Sequence, residues 1–262
     1  MRALYLRRRA NPVLDPAPYL ARIHFTGPID PTPDTLRRLH LAHLRAVPFE
    51  NLDISLGRKI VCDEQRSLHK IIALHRGGFC YELNGAFAAL LRTLGYTVTL
   101  LSARVSRPDG SASPEFDHLA LHVHLDEPWL ADVGFGDSFL EPLRLKHGIE
   151  QEQHGRRFRI AEVEDVMIVQ RQDPAGSWKS QYQFRRIPKK LADFAPRCHF
   201  HQTSPESHFT QQRICTLPTL DGRITLSDLK FIRSRNGKRE ERLLNDEQEW
   251  LAVLEKDFGV KL

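Results

Sequence analysis

Cys80 stands in the segment Arg76-Gly77-Gly78-Phe79-Cys80-Tyr81-Glu82-Leu83-Asn84, at what reads as the first turn of a helix behind two glycines that let the backbone turn sharply. A free thiol with a pKa of about 8.5 is only a few per cent ionised at neutral pH, whereas the unpaired N–H groups and positive dipole end of a helix start favour its thiolate. A thiolate so placed is a candidate nucleophile. An isolated cysteine is also a common core residue, so the segment alone leaves both readings open. Cys62, Cys198 and Cys215 lie far apart in the chain, which argues against a metal pair or a disulfide framework.

A nucleophilic cysteine needs a base to take its proton and a third group to hold that base. His118 lies 38 residues after Cys80, and Asp132 a further 14. His118 starts an alternating strand, with Leu119, Leu121, Val123 and Leu125 on one face and His118, Ala120, His122 and His124 on the other,. Asp132 ends another strand just before Gly134-Phe135-Gly136. Neighbouring strands can therefore present both side chains beside the start of a helix. Viewed singly, His118 also reads as a solvated strand residue and Asp132 as a turn-forming carboxylate.

His122 and His124 share a face with His118, and residues two apart on a strand are about 6–7 Å from each other, within reach of a shared metal. His118 to His122 spans roughly 13 Å, and no third ligand stands at a suggestive spacing, so no metal site is assigned. The net charge of +5 invites a nucleic-acid reading, but Arg2, Arg7, Arg8 and Arg9 against Asp15 put +3 of it in residues 1–18. A body of +2 without a lysine stripe is a poor match to a phosphate backbone. Basic patches for a small phosphorylated ligand remain open.

At 41% hydrophobic and 27% charged, the composition is that of a globular protein, and its apolar runs fall far short of the roughly 18 residues a membrane span needs. No apolar stretch of signal-peptide length follows the first arginines, so a reducing cytoplasm is the expected compartment. Asn11, Pro12, Pro16 and Pro18 argue against a helix there, and residues 1–18 are expected to form a flexible basic extension.

The elements that must position the three residues follow from periodicity. Thr32-Pro33 reads as a helix cap and first turn, with Leu36, Leu39 and Leu44 following until Pro48,. A second helix starts at Ser67, presents Leu68, Ile71 and Ile72, and ends at Gly77-Gly78, where left-handed geometry is available. From Cys80, the positions Leu83, Phe87, Leu90, Leu91 and Leu94 form an amphipathic stripe that Gly95 closes,. From Thr97 the pattern alternates, and strands are predicted at Trp129 to Val133, Phe158 to Val169 and Trp178 to Phe184, which suggests an antiparallel barrel or sandwich. A strand-like Arg223 to Arg235 precedes a final helix that Asn245 caps with Gln248 in a capping box, its apolar face being Trp250, Leu251, Leu254 and Phe258 before Gly259.

Five ordered motifs then resemble the arylamine N-acetyltransferase family of the prokaryotic type: Pro48-Phe49-Glu50-Asn51-Leu52, the segment Arg76 to Asn84, Asp117-His118-Leu119, Asp132-Val133-Gly134-Phe135-Gly136, and His201-Gln202-Thr203-Ser204-Pro205-Glu206-Ser207-His208-Phe209. The match runs from about Tyr19 to Leu262; the N-terminal extension departs from the family. The resemblance implies an α+β fold with a helical bundle (19–95) carrying the nucleophile, a β-barrel (96–203) carrying the histidine and aspartate, and an α/β lid (204–262), around a cysteine-protease-like catalytic core. It also implies Cys80, His118 and Asp132 as catalytic residues, acetyl-CoA as acyl-donor substrate rather than a permanently bound cofactor, and an aromatic amine or hydrazine as acceptor. Gly134, Phe135, Gly136, His208 and Phe209 are then expected to receive coenzyme A, and Phe49, Phe79 and Tyr81 to line the acceptor pocket, although each aromatic alone suits core packing equally. Glu50 and Arg76 are expected to pair and hold the Cys80 loop.

The implied activity is a two-step transfer through a Cys80 thioester, with ping-pong kinetics. Within the same resemblance, an amide synthase acting on a carrier-bound polyketide is the nearest alternative. A transglutaminase-like or peptidase-like amide hydrolase would use the same three residues with another acceptor, and a non-catalytic amine-binding protein would gain no covalent mass from acetyl-CoA.

Overall fold

The structure, a computed structural model, describes residues 14–262. The extension expected over residues 1–18 therefore lies outside the described residues except for its last five. Of these, Ala17 and Pro18 already belong to helix α1 (Ala17–Arg22), because a proline in the first turn removes no helical hydrogen bond,.

The N-terminal bundle continues with α2 (Pro33–Ala46), capped as predicted by the Thr32 hydroxyl, which accepts from the Thr35 N–H. A short strand β1 (Phe49–Glu50) and a single helical turn α3 (Leu52–Ser55) follow. Helix α4 (Glu64–Ile72) starts three residues before Ser67 because the Asp63 carboxylate is the better cap and accepts from the Arg66 N–H,. It stops well short of Gly77-Gly78. Those glycines are not left-handed; they are needed for close approach, since a Cβ on Gly77 would sit 2.0 Å from the Pro48 carbonyl oxygen.

Helix α5 (Cys80–Thr93) is more enclosed than an amphipathic helix: every residue from Cys80 to Leu91 is buried. Its apolar stripe faces the bundle, and its other side packs on strands β2 (Thr97–Val105) and β3 (His118–His124). Strands β4 (Pro128–Ala131), β5 (Leu143–Arg144), β6 (Gln151–Gln153), β7 (Arg156–Val163), β8 (Val166–Gln172) and β9 (Trp178–Lys189) complete an antiparallel sheet in the order β5-β4-β3-β2-β9-β8-β7-β6. Glutamine side chains nearly close it into a barrel. Gln151 accepts from the Arg144 N–H and donates to the Arg144 carbonyl, and Gln153 bonds the 140–141 backbone in the same way.

The strand predicted from Phe158 to Val169 is a hairpin, β7 turning into β8 at Glu164-Asp165. The barrel ends at Lys189 rather than at 203, since a 3-10 turn (Leu191–Phe194) and helix α6 (Ala195–Thr203) take up the rest. After α7 (His208–Gln211), strands β10 (Ile214–Pro218), β11 (Gly222–Ser227), β12 (Lys230–Arg235) and β13 (Lys238–Leu243) form a second sheet in which β1 pairs with β10. Arg223 to Arg235 is thus also a hairpin. Helix α8 (Glu247–Phe258) is capped by Asp246, not Asn245, and buries Trp250, Val253, Leu254 and Phe258 while Leu251 faces outward. Gly259, left-handed at φ +67°, ends it,.

Candidate active site

The Cys80 end of α5 is fixed from below by charge. Arg76 Nε and Nη2 both reach Glu50 Oε1, at 3.0 and 2.8 Å, and Nη2 also meets Asp53 at 3.1 Å. Lys70 Nζ lies 2.7 Å from Asp53 and 2.8 Å from Glu82, the residue whose other oxygen accepts from the Phe79 N–H at the helix start. The expected Glu50–Arg76 pair is therefore part of a buried five-member network, and it engages one oxygen of Glu50 rather than both. The other oxygen accepts from the Leu52 N–H.

Above this floor, Gly134 lies against the first turn of α5: a Cβ there would fall 2.7 Å from Cys80 Cα and 2.7 Å from Asn84 Nδ2. Asn84, one helical turn after Cys80, donates to the Leu119 carbonyl at 2.6 Å and to Asp132 Oδ1 at 2.9 Å, and accepts from the Val133 N–H. Asp132 Oδ1 also accepts from the Gly134 N–H, while Oδ2 is 2.7 Å from His118 Nε2. An ionised carboxylate only accepts, so His118 carries its proton on Nε2 and keeps Nδ1 for another partner. Burial alone would raise the Asp132 carboxyl, but His118, Asn84 and the Gly134 amide together hold it below its ordinary value,.

The sulfur of Cys80 has the backbone amide of Leu119, the neighbour of His118, beside it. Burial pushes the Cys80 thiol well above its ordinary value; the Leu119 amide opposes this, and the carboxylates of Asp132 and Asp117 add to it. The helix start alone therefore does not offset this burial. A thiolate here requires a positive charge close by, and a protonated His118 is the group that can supply it.

Three supports were not visible in the sequence reading. His40 donates from Nδ1 to the Leu140 carbonyl at 2.8 Å and accepts at Nε2 from the Asp132 N–H at 3.0 Å; burial lowers its pKa to about 4, so it stays neutral. Tyr182 is buried, its ring packs 5.1 Å from that of His118, and its hydroxyl has no hydrogen-bond partner among the described residues. Asn84 is the third, and its position four residues after Cys80 was the one available signal. The start of β3 is pinned in addition by Asp117, which pairs with Arg197 at 2.6 Å and His201 at 3.1 Å.

Of the residues expected to meet ligands, Phe135 packs edge-on against His118 at 5.2 Å, and Gly136, at φ +92°, lies under the Phe49 ring. Phe209 bridges Phe49 and Phe79, with ring centroids 6.2 and 5.9 Å away, and His208 lies on Phe209 at 4.0 Å. Phe49 and Phe209 are half-buried, whereas Phe79 and Tyr81 are fully buried and the Tyr81 hydroxyl donates to the Phe116 carbonyl. His122 and His124 stack at 3.8 Å on the far part of β3. Among the described residues, no group of three or more His, Cys, Asp or Glu side chains gathers as a metal site, and no helix is long and apolar enough to cross a membrane.

Residues 32–262 match the N-acetyltransferase family model. The chain is 35% identical over 246 residues, 92% of this chain and 87% of the relative, to an arylamine N-acetyltransferase of Escherichia coli K12. The solved arylamine N-acetyltransferase of Salmonella typhimurium superposes with a TM-score of 0.89 at 34% identity, covering 94% of this chain and 90% of that one. The Mycobacterium marinum arylamine N-acetyltransferase in complex with CoA gives 0.87 at 32%, covering 94% and 93%.

Proposed function

The chain belongs to the arylamine N-acetyltransferase family, and from that premise we propose that it moves an acetyl group from acetyl-CoA to an arylamine, arylhydrazine or N-hydroxyarylamine through a thioester on Cys80. The observation that carries the mechanism is the 2.7 Å contact between His118 and Asp132, held against the first turn of α5 by Asn84 and Gly134. The Cys80 sulfur attacks the thioester carbonyl, its proton having passed to His118, and coenzyme A leaves as the thiol with that proton. The amine nitrogen then attacks the acyl-enzyme carbonyl, His118 accepts the amine proton, and the Cys80 sulfur departs as the amide forms. Asp132 keeps the imidazole oriented and stabilises its charged form. An aromatic nitrogen suits the second step because its low basicity leaves it unprotonated near neutral pH.

In this reading the turn Gly134-Phe135-Gly136, with His208 and Phe209, receives the pantetheine end of the donor, which enters and leaves as substrate and not as a bound cofactor. The Mycobacterium marinum relative was solved in complex with CoA, which supports coenzyme A as the ligand without locating it on this chain. Phe49 and Phe209 offer the acceptor its aromatic wall, with Phe79 and Tyr81 as the layer that fixes them. The four free cysteines suit a reducing compartment such as the cytoplasm,. The deciding experiment is intact mass after mixing with acetyl-CoA alone: the protein should gain one acetyl group, mapped to Cys80 and absent in Cys80→Ser. No gain, or a label on Cys62, Cys198 or Cys215, defeats the proposal.

A further inference from the structure

Cys62 and Cys198 stand far apart in the chain, and the fold brings them together. Helix α6 turns Cys198 inward, into the core that also holds Phe79 and Tyr81, and leaves 2% of it exposed. The loop between α3 and α4 is clamped on the same helix by Gln202, one turn after Cys198. Gln202 Oε1 accepts from the Ile60 N–H at 2.7 Å, and its Nε2 donates to the Ile60 carbonyl at 3.0 Å and to Cys198 Sγ at 3.2 Å. The Cys198 thiol itself reaches the Ile60 carbonyl at 4.0 Å. Two residues on, this loop packs Cys62 against the same core and sets its thiol beside that of Cys198.

The two thiols are unequal. Cys80, Cys198 and Cys215 are buried, whereas Cys62 is half-buried, so a reagent in solution meets Cys62 first. The neighbouring Cys62 thiol and, after it, burial push the Cys198 thiol well above its ordinary value, which makes Cys198 a poor first nucleophile. The larger of these causes disappears once Cys62 is bonded through its sulfur, because a disulfide sulfur neither donates a proton nor carries charge. Reaction at Cys62 therefore readies Cys198 for a second step.

We propose that Cys62 and Cys198 are a second reactive centre, a dithiol that a low-molecular-weight disulfide of the glutathione type converts to an intramolecular disulfide joining α6 to the loop before α4. The Cys62 thiolate attacks one sulfur of the reagent and displaces the first small thiolate, which leaves a mixed disulfide on Cys62. The Cys198 thiolate then attacks the Cys62 sulfur and displaces the second. The protein pair gives up two electrons and two protons, the reagent's disulfide bond is reduced, and the two departing thiolates take up the protons. The bond lies close to the acyl site, because the neighbours of Cys198 on α6 hold the start of β3. Arg197 Nε is 2.6 Å and His201 Nε2 3.1 Å from Asp117, the residue before His118, and the His201 ring lies 6.2 Å from that of Tyr81, next to Cys80. Oxidation here tethers one wall of that site without consuming Cys80, whatever Cys80 itself carries.

The test treats the full chain with glutathione disulfide and reads intact mass and the linked peptides without reduction. In Cys80→Ser, where the third thiol near α6 cannot compete, the protein should lose the mass of two hydrogens, with Cys62 joined to Cys198, and dithiothreitol should restore it. Wild type should show the same link. Cys198→Ala should stop at one glutathione on Cys62, and Cys62→Ser should leave Cys198 unmodified. A mixed disulfide that persists on Cys62 while Cys198 stays free, or a chain in which neither residue reacts, overturns the proposal, and wild type and Cys80→Ser decide this even if Cys198→Ala does not fold. The linked protein should also melt about 5–10 °C above the reduced one, since the bond closes a long loop in the unfolded chain. A linked product that melts no higher has formed by drawing the loop away from α6, and it overturns the proposal as well.

Discussion

Asn84 Nδ2 donates to Asp132 Oδ1 across 2.9 Å, so the helix that begins with Cys80 is bonded, one turn later, to the carboxylate that holds His118. The same side chain ties down the Leu119 carbonyl and the Val133 amide. Asn84→Ala removes a partner from three buried polar groups, of which Asp132 Oδ1 keeps the Gly134 N–H, and a buried group left unmet costs about 1–3 kcal/mol. With partial relaxation, urea denaturation should show a loss of roughly 2–5 kcal/mol. Acylation in stopped-flow should slow at least tenfold even where the variant is fully folded. Wild-type stability and acylation together would mean that Asn84 only fills space.

The Glu50 network makes an asymmetric prediction. Glu50→Gln leaves two carboxylates facing two buried cations, Lys70 and Arg76, and the amide oxygen can still accept from the Leu52 N–H. Arg76→Met leaves Glu50, Asp53 and Glu82 with Lys70 as the one buried cation, the exposed Arg58 reaching only Asp53 at 3.9 Å. Removing one partner of a buried pair costs about 3–5 kcal/mol, and the larger loss belongs to Arg76→Met. Thermal melts decide the order; equal melting temperatures would show that the imbalance is solvated away.

Acid sensitivity should begin at an unusually high pH because of His40. Its folded pKa of about 4 lies below the unfolded value of 6.5, so between these values the unfolded chain binds a proton that the folded one refuses. Stability from this group is complete above 6.5 and falls as pH drops toward 4, by about 3 kcal/mol in total. His43, also lowered by burial, adds to the slope in the same direction. Asp132, whose folded pKa is depressed, acts lower: its contribution holds above the ordinary carboxylate value and is lost as pH falls through the folded one. Urea unfolding at pH 7 and pH 5 should already differ in wild type and differ less in His40→Gln.

The path from residues to elements was readable where local chemistry decides it. Thr32-Pro33 caps α2 because a hydroxyl followed by proline satisfies the first turn in any context,. The places of Cys80, His118 and Asp132, at a helix start, a strand start and just beyond a strand end, follow from glycine punctuation and alternation. The hairpins were not readable, since their turns carry Glu164 and Asp228 at positive φ where glycine is the usual marker,. Nor was His40, whose bond to Asp132 spans 92 residues, or the burial of α5 on both sides, which depends on a barrel packing against it. The burial of Cys80 was not readable for the same reason: a helix start is local, while desolvation is set by everything folded around it.

That burial sharpens the expected titration of Cys80. Burial and the carboxylates of Asp132 and Asp117 favour the thiol, with only the Leu119 amide opposing them. If an imidazolium on His118 supplies the missing positive charge, the thiolate exists as an ion pair, and documented cysteine–histidine pairs titrate at about 3–4. Iodoacetamide inactivation of wild type should then proceed at pH 6 with an inflection well below that of an ordinary thiol, the fitted value belonging to the pair. In His118→Gln the inflection should not merely return to an ordinary thiol's value of about 8.5 but rise above it, because desolvation is then uncompensated. Asp132→Asn should give an intermediate result, since the amide keeps one hydrogen bond to the ring but no longer stabilises its charge. Each variant is first checked for folding by circular dichroism. A wild-type inflection at the ordinary thiol value, shared by both variants, would mean that sulfur and imidazole titrate independently, and the two-step transfer through Cys80 would lose its nucleophile.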